Sequence, residues 1–215
     1  MDFNQKNIQA GYDKIAAEYA QRFLDEQAQK PMDQEMLQRF ANEVRGKGVV
    51  CDMGCGPGQI AAWLQEHCGL EDLLGVDLSP RFIEEARKLH PNVEFHRGDM
   101  LRLDYFDESW AGVTAFYCLI HIPRERVVEA LKEIRRVLKP GGVLLLTFHI
   151  GSEVMHVEEF LEQSVDMFCV FFEPEEMEGY LQEAGYEGIE SYVREPYAPE
   201  VEYQSRRAYI FGRKN

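Results

Sequence analysis

Apolar and polar positions change rhythm several times along this chain. Between about residues 7 and 28, Ile8, Tyr12, Ile15, Tyr19 and Phe23 recur at intervals of three and four. That spacing predicts an amphipathic helix with these side chains on one stripe. A second helix is expected from about 33 to 44. Beyond it, short and nearly continuous apolar runs near 48–53, 72–77, 92–97, 110–117 and 143–149 read as strands. Helical stretches near 58–68, 80–90 and 123–138 separate them, and Ser79-Pro80 supplies a cap and a first-turn proline for one of these. Strands that are apolar on both faces and alternate with helices predict an α/β, doubly wound, parallel sheet covered on both sides. Residues 150–172 show no period beyond an apolar patch from Met167 to Phe172. That segment is too long for a simple connection and is read as an irregular substrate-side insertion. A helix from about 174 to 184, stopped by Gly185, and two strand-like runs at 186–193 and 206–212 close the chain.

The run Val49-Val50-Cys51-Asp52-Met53 ends in the turn Gly54-Cys55-Gly56-Pro57-Gly58. A strand that stops at a glycine-rich turn and feeds a helix suits a nucleotide-like ligand. The glycines let backbone approach the ligand, and the helix aims free N–H groups and a positive dipole end at it. The spacing is G-x-G-x-G, with Gln59 where a dinucleotide fingerprint has its third glycine. Twenty-five residues past Asp52, the run Leu73-Leu74-Gly75-Val76-Asp77-Leu78 ends in an acid that suits a ribose diol. A third run reaches Asp99-Met100, where an acid and an apolar side chain suit an adenine amine and ring face. Ligands of an open parallel sheet sit outside the carboxyl ends of its strands. That rule gathers Asp52–Gly54, Asp77, Asp99, the stretch Tyr117–His121 and His149 at one edge.

Taken in order, these segments resemble the class I S-adenosylmethionine-dependent methyltransferases, from about Tyr12 to the C-terminus. Leu138-Lys139-Pro140-Gly141-Gly142 matches the tight turn before that family's fifth strand. Tyr12-Asp13-Lys14-Ile15-Ala16-Ala17-Glu18-Tyr19 matches the Tyr-Asp-x-x-Ala-x-x-Tyr opening of its small bacterial members. The resemblance implies a mostly parallel seven-stranded sheet with an antiparallel last strand, helices on both faces and an N-terminal helical lid over 1–46. It implies S-adenosylmethionine as cofactor and methyl transfer to an oxygen or nitrogen atom of a small molecule. The expected cofactor contacts are Asp52, Gly54, Cys55, Gly56, Asp77, Leu78, Asp99, Met100 and Tyr117, with Tyr12 and Tyr19 closing the pocket. Arg22, three residues past Tyr19, is placed to pair with the methionine carboxylate.

Methyl transfer from a sulfonium is an in-line displacement, in which the enzyme mainly positions the nucleophile. A hydroxyl or protonated amine acceptor must also lose a proton, and histidine has a suitable pKa for that base role. His121 and His149, at the ends of the fourth and fifth strands, are the candidate bases, and with Tyr117 they are candidates for substrate contact. Phe171 is expected to wall the pocket, and Arg206, or its neighbour Arg207, to read an acidic substrate group. His149 and His156 lie among Glu153, Glu158 and Glu159, but spacing fixes no third ligand, so no metal is expected.

The 215 residues predict one domain, 1–215. A formal net charge of −15 disfavours nucleic-acid partners. Tyr117-Cys118-Leu119-Ile120 also lacks the Asn/Asp-Pro-Pro-Tyr pattern that holds a flipped base. Five cysteines without a Cys-x-x-Cys pair suit reduced thiols and a cytoplasmic location. The opening Met1-Asp2-Phe3-Asn4-Gln5-Lys6 has no apolar signal core, and Ala111–Ile120 is only half a membrane span, so no membrane partner is expected. A monomer or homodimer fits this composition. Two rival readings are a nicotinamide oxidoreductase and a non-catalytic cofactor-binding module. Gln59 and the lack of a Tyr-x-x-x-Lys pair weigh against the first, and the intact glycine loop with Asp77 against the second.

Overall fold

Residues 4–215 are described by a computed structural model; residues 1–3, the start of the segment read above as lacking a signal core, lie outside the described residues. Two helices, α1 (Gln5–Phe23) and α2 (Pro31–Val44), precede an alternation of strands and helices. The alternation runs β1 (Val50–Met53), α3 (Gln59–Glu66), β2 (Leu73–Asp77), α4 (Pro80–Leu89), β3 (Glu94–Arg97), β4 (Trp110–Phe116), α5 (Arg124–Val137) and β5 (Leu138–His149). After β6 (Val154–Phe160) and β7 (Gln163–Val170) come α6 (Pro174–Glu183), β8 (Glu187–Arg194) and β9 (Arg207–Arg213). Seven strands form one sheet in the order β3-β2-β1-β4-β5-β9-β8. The first five are parallel, and β9 enters antiparallel between β5 and β8.

Burial explains the layering. Every residue of β4 is buried, as a central strand covered on both faces must be. Along β5 the side chains alternate between two cores. Val143 and Leu145 join Phe40, Ile60 and Leu64 from α2 and α3, while Leu144 and Leu146 join Leu131, Ile134 and Met177 from α5 and α6. Ser79 caps α4 by accepting the Phe82 N–H at 3.1 Å, with Pro80 at the first helical position.

Three expectations are corrected. The stretch 150–172 is not irregular: β6 and β7 form an antiparallel hairpin separate from the main sheet. Its two-residue turn is Leu161-Glu162, both left-handed at φ 50° and 59°. That geometry usually announces itself with Asn or Gly, and neither is present, so the turn carried no signal. The fifth strand starts five residues before 143, because Leu138-Lys139-Pro140-Gly141-Gly142 forms a bulge in it rather than a turn ahead of it. The pairing jumps from Trp110–Leu138 to Gly112–Val143. The first helix stops at Phe23, and a separate 3₁₀ turn covers Glu26–Gln29.

The hairpin and α1 close over the carboxyl edge together. Ile8 and Ile15 pack with Leu161, Val165 and Met167, and Gly11 lets β7 approach: a methyl group there would lie 2.7 Å from the Met167 sulfur. Asn7 Nδ2 donates to Asp166 at 2.6 Å, and Lys14 Nζ to the Ser164 carbonyl at 2.9 Å. On its other side α1 is tied to α4, where the Ser79 hydroxyl donates to Asp13 at 2.6 Å.

Candidate active site

β1 ends at the edge where its chain turns through Gly54, Gly56 and Gly58, all with positive φ. At Gly54 (φ 66°) even a methyl group would collide with the Cys118 side chain at the end of β4. The turn is anchored by the Gly54 and Cys55 N–H groups, which donate to the Val76 carbonyl at 2.7 and 3.1 Å. Asp77, at the end of β2, accepts from Ser79 N–H at 2.8 Å with one oxygen and from Gly56 N–H at 2.9 Å with the other. Burial pushes its carboxyl up to about 6, against the lowering pull of those two N–H groups. Asp52 Oδ1 accepts from Thr114 Oγ1 at 2.9 Å, while its buried Oδ2 has no hydrogen-bond partner. Burial pushes the Asp52 carboxyl up to about 7.

These groups line one cavity of about 710 Å³. Gly54, Cys55, Gly56, Leu78, Asp99 and Met100 border it at the glycine-loop end, and Tyr117, His121 and His149 at the other. Tyr12 and Tyr19 roof it from α1, each ring lying against Phe82 at 5.4 and 5.3 Å between centroids. Burial raises both phenol pKa values, so both stay protonated.

The two histidines sit in unlike surroundings. His121 Nδ1 faces the Phe168 carbonyl at 2.9 Å, and Nε2 faces the Tyr12 hydroxyl at 2.7 Å. A carbonyl can only accept, so Nδ1 carries the proton and Nε2 accepts from Tyr12 O–H. Burial pushes His121 down to about 4 and keeps the ring neutral. His149 Nδ1 lies 2.8 Å from Ser205 Oγ, and its ring stacks on Phe171 at 4.9 Å and 19°. Burial, then the Arg207 charge, push it down to about 3.

Three expected contacts do not reach the cavity. Arg22 is exposed and lies near the Phe23 ring at 6.0 Å, because its position on α1 points away from the roof stripe. Arg206 is half exposed and pairs with Glu195 at 3.3 Å, since the alternation of β9 turns its neighbour Arg207 inward instead. Phe171 stands behind His149 and is buried there. Cavity residues that the sequence did not single out include Gln27, Lys30 and Glu202. Nothing in their local spacing marked them, because the 3₁₀ turn and the β8–β9 loop bring them in from far along the chain. His156 pairs with Asp166 at 2.8 Å on the hairpin. Among the described residues no three His, Cys, Asp or Glu side chains form a group able to hold a metal ion, and no helix is long and apolar enough to cross a membrane.

Residues 50–142 match the family model described as "Methyltransferase domain". A demethylmenaquinone methyltransferase of Chlorobaculum parvum is 37% identical over 93 residues, covering 43% of this chain and 37% of that one. The chain thus spans less than half the length of this curated relative. Among solved structures, the 1,6-didemethyltoxoflavin-N1-methyltransferase of Burkholderia thailandensis, with its substrate and S-adenosylhomocysteine bound, superposes with a TM-score of 0.72. It shares 19% identity over 98% of this chain and 88% of that one. Phosphoethanolamine N-methyltransferase 2 of Haemonchus contortus gives a TM-score of 0.73 at 18% identity, over 100% of this chain and 60% of that one. These structural likenesses concern the fold.

Proposed function

We propose, for a chain whose residues 50–142 belong to the methyltransferase-domain family and whose fold is that of the class I S-adenosylmethionine-dependent enzymes, that it methylates a small molecule at an oxygen or nitrogen atom. The observation that carries this reading is the row of acceptors along the glycine loop. Each Asp77 oxygen holds one backbone N–H with lone pairs to spare, and two ribose hydroxyls fit there. Asp52 also borders the cavity, and its carboxyl would favour a cationic ammonium there. Asp99 and Met100 take the adenine edge and face, and Tyr12 and Tyr19 cover the cavity.

When bound, the cofactor would supply an electrophilic methyl group and a neutral thioether as leaving group. The chain's own task is to hold the acceptor and remove its proton. A hydroxyl or amine set against the Tyr12 oxygen would give its proton to Tyr12 as Tyr12 passes its own to His121 Nε2. The Phe168 carbonyl keeps Nδ1 protonated, so Nε2 is the only nitrogen free to receive. A base held near 4 is weak, and it suits a step in which the proton becomes more acidic as the methyl bond forms.

Calorimetry with S-adenosylhomocysteine and NAD, followed by transfer of labelled methyl to fractionated cell extract, tests the reading. The expected result is binding of the first ligand alone and label in the small-molecule fraction. Tight NAD binding without S-adenosylhomocysteine binding overturns it, as does label confined to nucleic acid.

A further inference from the structure

His149, Tyr117 and Arg207 meet at the far end of the cavity, where β4, β5 and β9 adjoin. The Tyr117 and His149 rings are 5.2 Å apart, and the Arg207 guanidinium lies 5.6 Å from the Tyr117 ring. Tyr117 is held in the left-handed region at φ 53°, a conformation a bulky side chain keeps only where its surroundings impose it. Its hydroxyl is buried against Thr147 and out of reach from the cavity. Arg207 is 2% exposed, and its Nε is buried too.

The hydrogen-bond order settles which atoms donate. Arg207 Nη1 donates to Ser205 Oγ. Ser205 Oγ has one further neighbour, His149 Nδ1 at 2.8 Å, so the serine hydroxyl donates there. A neutral imidazole that accepts at Nδ1 carries its proton on Nε2. Among the described residues His149 Nε2 has no hydrogen-bond partner, and the ring borders the cavity. Its tautomer is thus the reverse of that of His121, whose Nε2 accepts. One donor, Nε2–H of His149, thus faces the cavity, and the Arg207 charge backs it through Ser205.

Arg207 shares the Glu202 carboxylate, at 3.7 Å, with Arg194, whose fork takes both Glu202 oxygens, so its own pairing is partial. Lys30, 5% exposed, adds a second cation to the cavity wall and pairs with Glu26 at 2.7 Å. Glu158 and Glu159 also border the cavity, from the exposed hairpin, where water screens them. Ile120, Met155 and Phe160 make the intervening walls apolar.

Resting on the methyltransferase reading, we propose that His149 Nε2–H, backed through Ser205 by Arg207, forms an oxyanion seat, and that the acceptor is a small organic acid whose carboxylate or phosphate occupies it. The apolar walls take its body, and its nucleophilic atom lies toward Tyr12. His149 then positions and orients the substrate and removes no proton.

Benzoate, phenyl phosphate and neutral benzamide serve as probes, titrated into protein saturated with S-adenosylhomocysteine. At least one anion should bind roughly tenfold or more tighter than benzamide. Preference for benzoate marks a carboxylate substrate, and preference for phenyl phosphate a phosphorylated one. Arg207→Met should abolish the preference and leave the S-adenosylhomocysteine dissociation constant within about threefold, since the guanidinium is not in the cofactor cradle. His149→Phe, which keeps a ring against Phe171 but removes Nε2–H, should cut the preference roughly threefold or more, and it decides the matter if Arg207→Met fails to fold. Equal binding of the three probes, absence of binding by both anions, or a preference that survives His149→Phe overturns the seat. Loss of S-adenosylhomocysteine affinity in Arg207→Met overturns it too, by assigning the guanidinium to the methionine carboxylate. Failure of the wild-type protein to bind S-adenosylhomocysteine would instead remove the reading beneath.

Discussion

Replacing Asp77 by asparagine isolates the cofactor cradle with little change of volume. One Asp77 oxygen holds Ser79 N–H at 2.8 Å and the other holds Gly56 N–H at 2.9 Å. An amide keeps one acceptor oxygen and turns an NH₂ toward a backbone N–H, whichever way it flips. The variant therefore loses a charge-assisted bond to the loop or to a ribose hydroxyl. Hydrogen bonds to charged groups are worth about 1.5–3 kcal/mol, which is roughly a 10- to 150-fold rise in Kd. Calorimetric titration with S-adenosylhomocysteine at pH 8 reads that change. A second arm uses pH. Burial holds the carboxyl of the free protein at about 6, and hydroxyl donors favour its ionised form. Binding therefore lowers this pKa, so affinity is complete above 6 and falls as pH drops through 6. Asp77→Asn should flatten that part of the pH profile and leave the separate contribution of Asp52, near 7. A Kd within twofold of wild type, or an unchanged profile between pH 7 and 5, refutes the ribose assignment.

Tyr12→Phe should slow methyl transfer by roughly 100-fold while S-adenosylhomocysteine binds within about threefold of wild type, because only the bond to His121 is removed; equal losses in both would make Tyr12 a cofactor contact alone. His121 and His149 are held at about 4 and 3, below their ordinary 6.5, so each contributes stability that is complete above 6.5 and lost as pH falls toward those values. Urea midpoints measured from pH 7 to 4.5 should therefore slope less steeply for His121→Asn than for wild type, and parallel slopes would contradict that account. Gly54→Ala should destabilise the fold by about 2–4 kcal/mol, combining a left-handed backbone with a collision at Cys118; urea denaturation measures it, and a loss under about 0.5 kcal/mol would show that the turn yields.

What could be read from sequence was what local chemistry encodes. The glycine turn, the acids at 52, 77 and 99, and the Ser79 cap each sit at a strand end or helix start that local residue types announce, and the structure places the turn and the three acids along one cavity. The hairpin was hidden because Leu161-Glu162 makes a left-handed turn without the residues that favour one. At the cationic end the sequence named Tyr117 and His149 and left Arg206 or Arg207 open, while Lys30 carried no signal. These residues come from separate elements, and only the antiparallel insertion of β9 beside β5 joins two of them, through the pair His149–Arg207. The choice between Arg206 and Arg207 turned on one residue of register, which period-two alternation converts into opposite faces.

Tyr12 belongs to the helix that roofs the cavity, yet its hydroxyl completes the path to His121. Lifting α1 to admit or release a ligand would pull those two groups apart. On the relay proposed above, the movement that exposes the centre would also take it apart, so one aromatic side chain would couple closure to chemistry.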